Sequence, residues 1–296
     1  MPDWVEPGWR WFIEWTDKGE GVLRRIERIY LFRRSPYQVI EVLELSGIGK
    51  ALVIDGKVQS SIYDEYWYHE ALVHPVMLSV DCPRKVLIIG GGEGATLREV
   101  LKHRCVEKAV MVDLDSEVIA IAKEYLHEWH QGSFNNPKAE VVISDGKKFL
   151  EETRDNYDVI IIDLVDPTVN SPAAALYTKE FYELAKSRMS SESILVTQAT
   201  SPILTPKVFL SIVRNLEAVF RRVTPYITYV RSFNSLWGFV SASDKYSPKD
   251  LNPSDVDKLL ADRLGDKAKS LRFYNGETHA WLFTMPKPLK DLLEEG

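Results

Sequence analysis

Cysteine is scarce in this chain. Cys82 and Cys105 are the only two among 296 residues; they form no CxxC pair and no Cys/His cluster accompanies them. That argues against a zinc-ribbon site and against a disulfide-dense secreted scaffold. The two thiols are expected to be reduced and structural, as in an intracellular protein, with a single disulfide as the alternative. Long apolar runs are missing too, and no stretch approaches the length needed to span a bilayer. Met1–Trp15 carries acids and tryptophans where a signal peptide has a basic start and an apolar core, so no signal peptide is expected. There is no basic excess: the net charge is -6 and the isoelectric point about 5.6. A protein that grips the nucleic-acid backbone is usually basic, so no nucleic-acid partner is expected. The local run Arg24-Arg25-Ile26-Glu27-Arg28, with Arg33-Arg34, reads as a solvated strand face or as subunit salt links. Repeats and low-complexity segments are absent. The expected location is cytoplasmic, with no membrane partner.

What is present is a large apolar fraction, 45%, enough for one large domain or a large one with a small companion. Up to about residue 65, aromatic and β-branched residues alternate with polar ones. Tyr37–Leu45 alternates along its length, and Ala51–Gln59 reads as strand, Asp55-Gly56 turn and strand. This is a small antiparallel unit, expected over residues 1–63, whose aromatics suit a subunit contact. From Asp64 the pattern changes to a helix (64–78), and then short apolar strands alternate with helical periods: strands at 85–89, 108–112, 139–143, 157–162 and 193–197, helices at 95–102, 118–126, 146–153 and 206–220. That alternation predicts a parallel sheet covered by helices on both faces. Strands at 223–230 and 237–242 have no helix between them and should form a hairpin. Seven strands ending in such a hairpin predict a methyltransferase-type Rossmann fold over residues 64–296. The C-terminal tail should hold a helix at 253–264 and a last strand near Ala280–Thr284.

The first strand runs into Gly90-Gly91-Gly92-Glu93-Gly94. Glycines there let backbone approach a ligand at the next helix N-terminus, although the spacing is not that of a pyrophosphate loop. Asp113 ends the second strand about 20 residues on, where a carboxylate can accept both ribose hydroxyls; Asp115 beside it reads as a helix N-cap. Ser144-Asp145-Gly146 ends the third strand, where a side chain and a backbone N–H can read adenine. The fourth strand ends in Asp163-Leu164-Val165-Asp166-Pro167. Acids there are costly unless partnered, and Asp163, Asp166 and Glu93 converge on one crevice. Without an HExxH, a DxDxDG or a His/Cys cluster, no metal is expected and a cationic ligand is the natural partner. The residues therefore point to an adenine nucleoside beside a cation, ideally a polyamine.

On these residues the chain resembles the polyamine aminopropyltransferases, the spermidine synthase family, from about Tyr37 through Asp244. The motifs are Asp55-Gly56-Lys57-Val58-Gln59, Asp64-Glu65-Tyr66-Trp67-Tyr68-His69-Glu70, GGGEG and Asp163–Pro167. GGGEG, Asp163–Pro167, Leu176-Tyr177-Thr178 and Gln198-Ala199 are similar to the branch that holds thermospermine synthases and prokaryotic triamine or agmatine aminopropyltransferases. Ordinary spermidine synthases have GGGDG and a small polar pair between the two aspartates. Glu93 and Leu164-Val165 depart from that pattern and put putrescine in doubt as the preferred acceptor. The resemblance implies transfer of the aminopropyl group of decarboxylated S-adenosylmethionine, a co-substrate rather than a cofactor, to a di- or polyamine. Gln38, Asp113, Asp145, Gly146 and Pro172 would then contact the adenosine part, with Gly90 and Gly92 in the turn. Glu93 would face the donor's aminopropyl amine. Gln59, Tyr68, His69 and Asp166 would hold amines, and Asp163 would be the base. Tyr68 with Phe233 or Trp237 would wall the amine chain, core packing being the alternative for the latter two; His74 is expected to be structural. A homodimer or homotetramer is implied. The competing readings are a methyltransferase using intact S-adenosylmethionine and a noncatalytic nucleoside- or polyamine-binding protein.

Overall fold

The computed structural model describes residues 9–167 and 172–295. The chain divides into two compact units, Met1–Glu65 with Val230–Ser235, and Tyr66–Tyr229 with Leu236–Gly296. The first unit is built on five strands in sequence order, each antiparallel to the next: β1 (Arg10–Asp17), β2 (Glu20–Arg34), β3 (Val39–Leu45), β4 (Gly49–Ile54) and β5 (Lys57–Ser61). Asp55 and Gly56 both have positive φ, 49° and 75°, the backbone a two-residue hairpin needs to match strand twist. One face buries Phe12, Leu43, Leu45, Ala51, Val53 and Val58, with Ile26 and Phe233 against them. Glu14 shares that face and is paired with Arg24 at 3.2 Å, which answers the cost of its burial. The remaining basic residues of β2 lie at the surface: Arg25 pairs with Glu27 and stands over Trp9 at 4.3 Å. On the opposite side of the sheet, Trp11, Ile13 and Trp15 of β1 and Leu23 of β2 are exposed. Ile29 and Phe32 are exposed too, but past the bulges of β2 they pair with Leu43 and Glu41 on the core-facing side.

The second unit opens with α1 (Glu65–Ser79) and continues β6 (Lys85–Gly90), α2 (Ala95–Val100), β7 (Lys108–Asp113), α3 (Ser116–Tyr125), the single turn α4 (His127–His130), β8 (Ala139–Ile143), α5 (Gly146–Glu152), β9 (Tyr157–Asp163), α6 (Lys179–Lys186), β10 (Met189–Gln198), α7 (Pro206–Glu217), β11 (Arg222–Val230) and β12 (Ser235–Ser243). The sheet order is β11-β12-β10-β9-β6-β7-β8. The five central and edge strands from β10 to β8 are parallel, and β12 runs antiparallel to β10. β6 and β9 are neighbours from which the sheet grows in opposite directions. Their carboxyl ends are therefore the switch point where an α/β sheet opens a crevice. The strands are apolar because both faces are covered: Leu87, Ile89, Val110, Val112, Ile160 and Ile162 are all buried on one face.

Two segments differ from what the sequence predicts. The segment expected as a last strand, Ala280–Thr284, lies mostly in a helix, which follows α8 (Pro253–Leu264) as α9 (Gly276–Leu282) and precedes α10 (Lys287–Glu295). The Asn275 side chain accepts the Thr278 N–H at 2.8 Å, and Gly276, His279 and Leu282 are buried at helical spacing. This is a capped amphipathic turn whose period is three, not two. The second correction concerns Cys82 and Cys105, which are joined in a disulfide with Cα atoms 5.3 Å apart. Cys82 lies three residues before Lys85 and Cys105 three before Lys108, and Lys85 pairs with Lys108 across β6 and β7. Parallel register thus brings the two thiols together at the edge of the sheet opposite the acids.

Candidate active site

Register also sets the acids. Gly90 is paired with Asp163 across β6 and β9, and the Gly91 N–H donates to the Asp163 carbonyl at 2.8 Å. A Cβ on Gly90, whose φ is +86°, would stand 2.1 Å from that carbonyl oxygen, and one on Gly92 would stand 2.7 Å from Asp113 Oδ2. The two glycines are required by the closeness of the strand ends themselves. The turn then delivers Glu93 and Thr96 to the same place.

Asp163 is the centre of the cluster. Its Oδ1 accepts the Tyr68 hydroxyl at 2.7 Å and its Oδ2 accepts the Thr96 hydroxyl at 2.6 Å. Tyr68 comes from α1 and Thr96 from the first turn of α2, so two helices converge on one carboxylate. His69, next along α1, places Nε2 2.8 Å from Glu93 Oε1. His69, Glu93 and Asp163 each offer one atom within 4.8 Å of the others. Burial, and then the negative charge of Glu93, push the Asp163 carboxyl up to about 6 against the opposing pull of His69, Thr96 and Tyr68. Tyr68 moves well above the usual phenol range, first through burial and then through Asp163 itself, so it keeps its proton and remains a donor. Asp113, at the end of β7, is likewise raised to about 6 by burial, its hydrogen bond from the Asp115 N–H notwithstanding. That bond is 2.9 Å long, and Asp115 itself caps α3 through the Glu117 N–H.

The other anticipated residues fall in several places. Asp145 is exposed and caps α5, accepting the Lys148 N–H at 2.9 Å, with Gly146 buried behind it. Asp166 lies 3.5 Å from Gln198 Nε2. Trp237 is half-buried on β12. Gln38, Gln59 and Phe233 belong to the N-terminal unit. There the Ser35 N–H donates to the Gln38 carbonyl, the Gln59 amide donates to the Lys57 carbonyl at 3.3 Å, and Phe233 packs on the hydrophobic cluster. Pro172 opens a 3-10 turn, Pro172–Tyr177; its side chain and residues 168–171 lie outside the described residues. Sequence reading missed Thr96 as a donor to Asp163. Tyr177 and Gln198 carry the branch resemblance but have no role legible in the sequence. Gln198 Nε2 donates to the Leu164 carbonyl at 2.8 Å and to Tyr177 Oη at 2.6 Å, and the Tyr177 hydroxyl reaches the Val165 carbonyl at 3.2 Å. Together they fix the loop that carries Asp166, while Leu164 and Val165 pack on the core beneath. A polar residue ending β10, the strand beside β9, was the available signal for Gln198.

A sheet of this order, with a glycine turn and buried acids at its switch point, defines a methyltransferase-type Rossmann protein. Comparison with known proteins narrows the class. A family model described as the spermine/spermidine synthase domain matches residues 65–252, and one described as the spermidine synthase tetramerisation domain matches residues 10–61. Polyamine aminopropyltransferase 2 of Hyperthermus butylicus is 55% identical over 97% of this chain and 93% of its own length. The polyamine aminopropyltransferase of Sulfurisphaera tokodaii is 49% identical over 97% and 94%. Among solved structures, a spermidine synthase in complex with the transition-state analogue AdoDATO superposes with a TM-score of 0.89 at 32% identity, covering 99% of this chain and 98% of that one. The spermidine synthase from Thermotoga maritima gives 0.87 at 33% over the same shares. The chain belongs to the spermine/spermidine synthase family, the polyamine aminopropyltransferases.

Proposed function

We propose that this enzyme transfers the aminopropyl group of decarboxylated S-adenosylmethionine to an amine of a di- or polyamine and releases 5'-methylthioadenosine. Agmatine, putrescine, norspermidine and spermidine are the acceptors to consider, with the triamine and agmatine branch favoured by Glu93 and the apolar pair Leu164-Val165. The observation that carries the reading is the Asp163 carboxylate, held by two hydroxyl donors beside the His69–Glu93 pair in the crevice that Asp113 also faces.

The chemistry follows from charge. An alkyl amine, with a pKa of about 10 by analogy with lysine, arrives protonated and cannot attack. Asp163, raised toward neutrality, is suited to take that proton. The freed nitrogen lone pair attacks the aminopropyl carbon, the carbon–sulfur bond breaks, and its electron pair leaves on sulfur as a neutral thioether. Positive charge disappears from sulfur and grows on nitrogen. Carboxylates fixed near that nitrogen therefore stabilise the transition state more than the bound reactants, and alignment of the two substrates supplies much of the remainder. Glu93 suits the donor's amine and would repel the carboxylate of intact S-adenosylmethionine. The donor is a co-substrate, and no resident cofactor enters the scheme. Both Asp163 oxygens already accept hydroxyl protons and His69 engages Glu93, an arrangement that suits a hydrogen-bonding ammonium better than a metal ion.

We assign adenosine contacts to Asp113, Asp145 and Gly146, with Pro172 by family resemblance, and amine contacts to Tyr68, His69 and Asp166. No helix among the described residues is long and apolar enough to cross a membrane, and a cytoplasmic location is proposed. The match to the tetramerisation domain and the apolar outer face of β1 and β2 support an oligomer, proposed as a homodimer or homotetramer. Mass analysis of products across the four amines tests the function. Aminopropylated amine with one equivalent of 5'-methylthioadenosine is expected from the decarboxylated donor, and methyl transfer from intact S-adenosylmethionine would overturn the reading.

A further inference from the structure

The two hydroxyls that hold Asp163 stand on different helices, so their spacing depends on whatever fixes α1 against α2. Below the site these helices are joined by side chains with no access to water. His74 of α1 places Nε2 3.0 Å from Glu99 Oε2 of α2 and Nδ1 3.0 Å from His103 Nε2, just beyond α2. His74 and Glu99 are both fully buried. The other Glu99 oxygen takes Arg98 Nε at 2.7 Å and Lys102 Nζ at 2.8 Å. Farther from the site, the Cys82–Cys105 disulfide ties the segments that follow the two helices. Each helix therefore carries a donor to Asp163 in its first turn, is bridged to the other farther along, and is linked again past its end.

We propose that the His74–Glu99 pair is a positioning clamp for catalysis: it locks α1 to α2 in the one relation that lets Tyr68 and Thr96 donate to the same carboxylate. Neither residue touches Asp163; they act through the helices that carry its two donors. A bridge of this kind is not required for core stability, because a hydrophobic pair of similar volume would pack the same space at no cost in buried charge. Its use is geometric, since hydrogen bonds fix direction where apolar contacts do not. The Glu99 side of the clamp also stays charged. Burial alone would raise Glu99, but the His74 hydrogen bond and the charges of Arg98, His74 and Lys102 outweigh it and keep the carboxyl well below the usual range.

The inference rests on Asp163 as the base, and its test separates the two. The groups facing Asp163 are His69 and Tyr68 from α1, Glu93 from the glycine turn, Asp113 from β7 and Tyr177. The Tyr68 and Thr96 hydrogen bonds lower the Asp163 carboxyl, so loosening them must raise it further. In His74→Phe, which keeps a ring but no hydrogen bond, the Asp163 carboxyl resonance, followed by 13C NMR and assigned with Asp163→Asn, should titrate about 0.5 unit or more higher than in the native enzyme. Turnover should fall by about tenfold or more with the donor KM within about threefold, as expected for lost alignment. His74→Gln, whose amide can still reach Glu99, should restore both. Should His74→Phe fail to fold, Glu99→Gln takes its place with the same expectation. A folded variant with native turnover and a native Asp163 titration overturns the clamp, as does a folded His74→Gln as impaired as His74→Phe. Absence of aminopropyl transfer by the native enzyme overturns the assigned function instead and leaves the NMR result to judge the clamp.

Discussion

In the proposed reaction one carboxylate takes the proton, and its environment is a balance of opposing effects. Burial and Glu93 push Asp163 up, while His69, Thr96 and Tyr68 pull it down. The result is a carboxylate ionised at neutral pH yet able to accept a proton. With Asp163 as the proposed base, its deprotonated form is the active one, so kcat should decline as pH drops through about 6. Asp113 titrates in the same region, so donor affinity should weaken over that range too, and the observed acid limb belongs to the cluster. Glu93→Gln removes a charge that raises Asp163, and the acid limb should move to lower pH while donor KM rises. A pH–rate profile checks both, and a limb that stays fixed or moves upward contradicts this balance. At the residue scale, Asp113 and Asp163 were legible because acids at the ends of apolar strands are anomalous, and Glu93 because it is an acid within a glycine turn. It did not expose Thr96, which resembles any polar residue in a first helical turn until the strand pairing is known.

At the scale of elements, the parallel sheet was legible in the alternation of short apolar runs and helical periods, and most boundaries lie within a few residues of the reading. Two features escaped for physical reasons. Ala280–Thr284 has too few residues to separate a period of two from one of three, and the capping Asn275 was the better guide. The cysteines, 23 residues apart, have no local signature. Their pairing follows only from the register of β6 with β7. The disulfide closes a loop of that length and should contribute about 3 kcal/mol by restricting the unfolded chain. Calorimetry with and without reductant should therefore show a lower unfolding temperature for the reduced enzyme and for the double variant Cys82→Ser, Cys105→Ser. Thiols that alkylate freely in the unreduced native protein, with an unchanged melting temperature, would contradict it.

For the whole molecule, the N-terminal sheet presents an apolar outer face that a monomer has no reason to keep. On it Trp15 is 61% exposed, Leu23 58% and Ile13 42%, with Ile13 opposite Leu23 across β1 and β2, and patches of this kind mark association surfaces. Leu23→Asp should shift the mass seen by light scattering to a smaller species, and an unchanged mass would remove that strand face from the interface. The alternation of polar and apolar residues predicted the sheet, but not which face meets another chain, since both carry large side chains. The account as a whole depends on Asp163 acting as the base while other residues bind the nucleoside. The most direct measurement is Asp163→Asn, assayed for aminopropyl transfer and for 5'-methylthioadenosine affinity in the same preparation. The account predicts a rate lower by about 10²–10⁴-fold with nucleoside affinity retained. A rate near that of the native enzyme would contradict it.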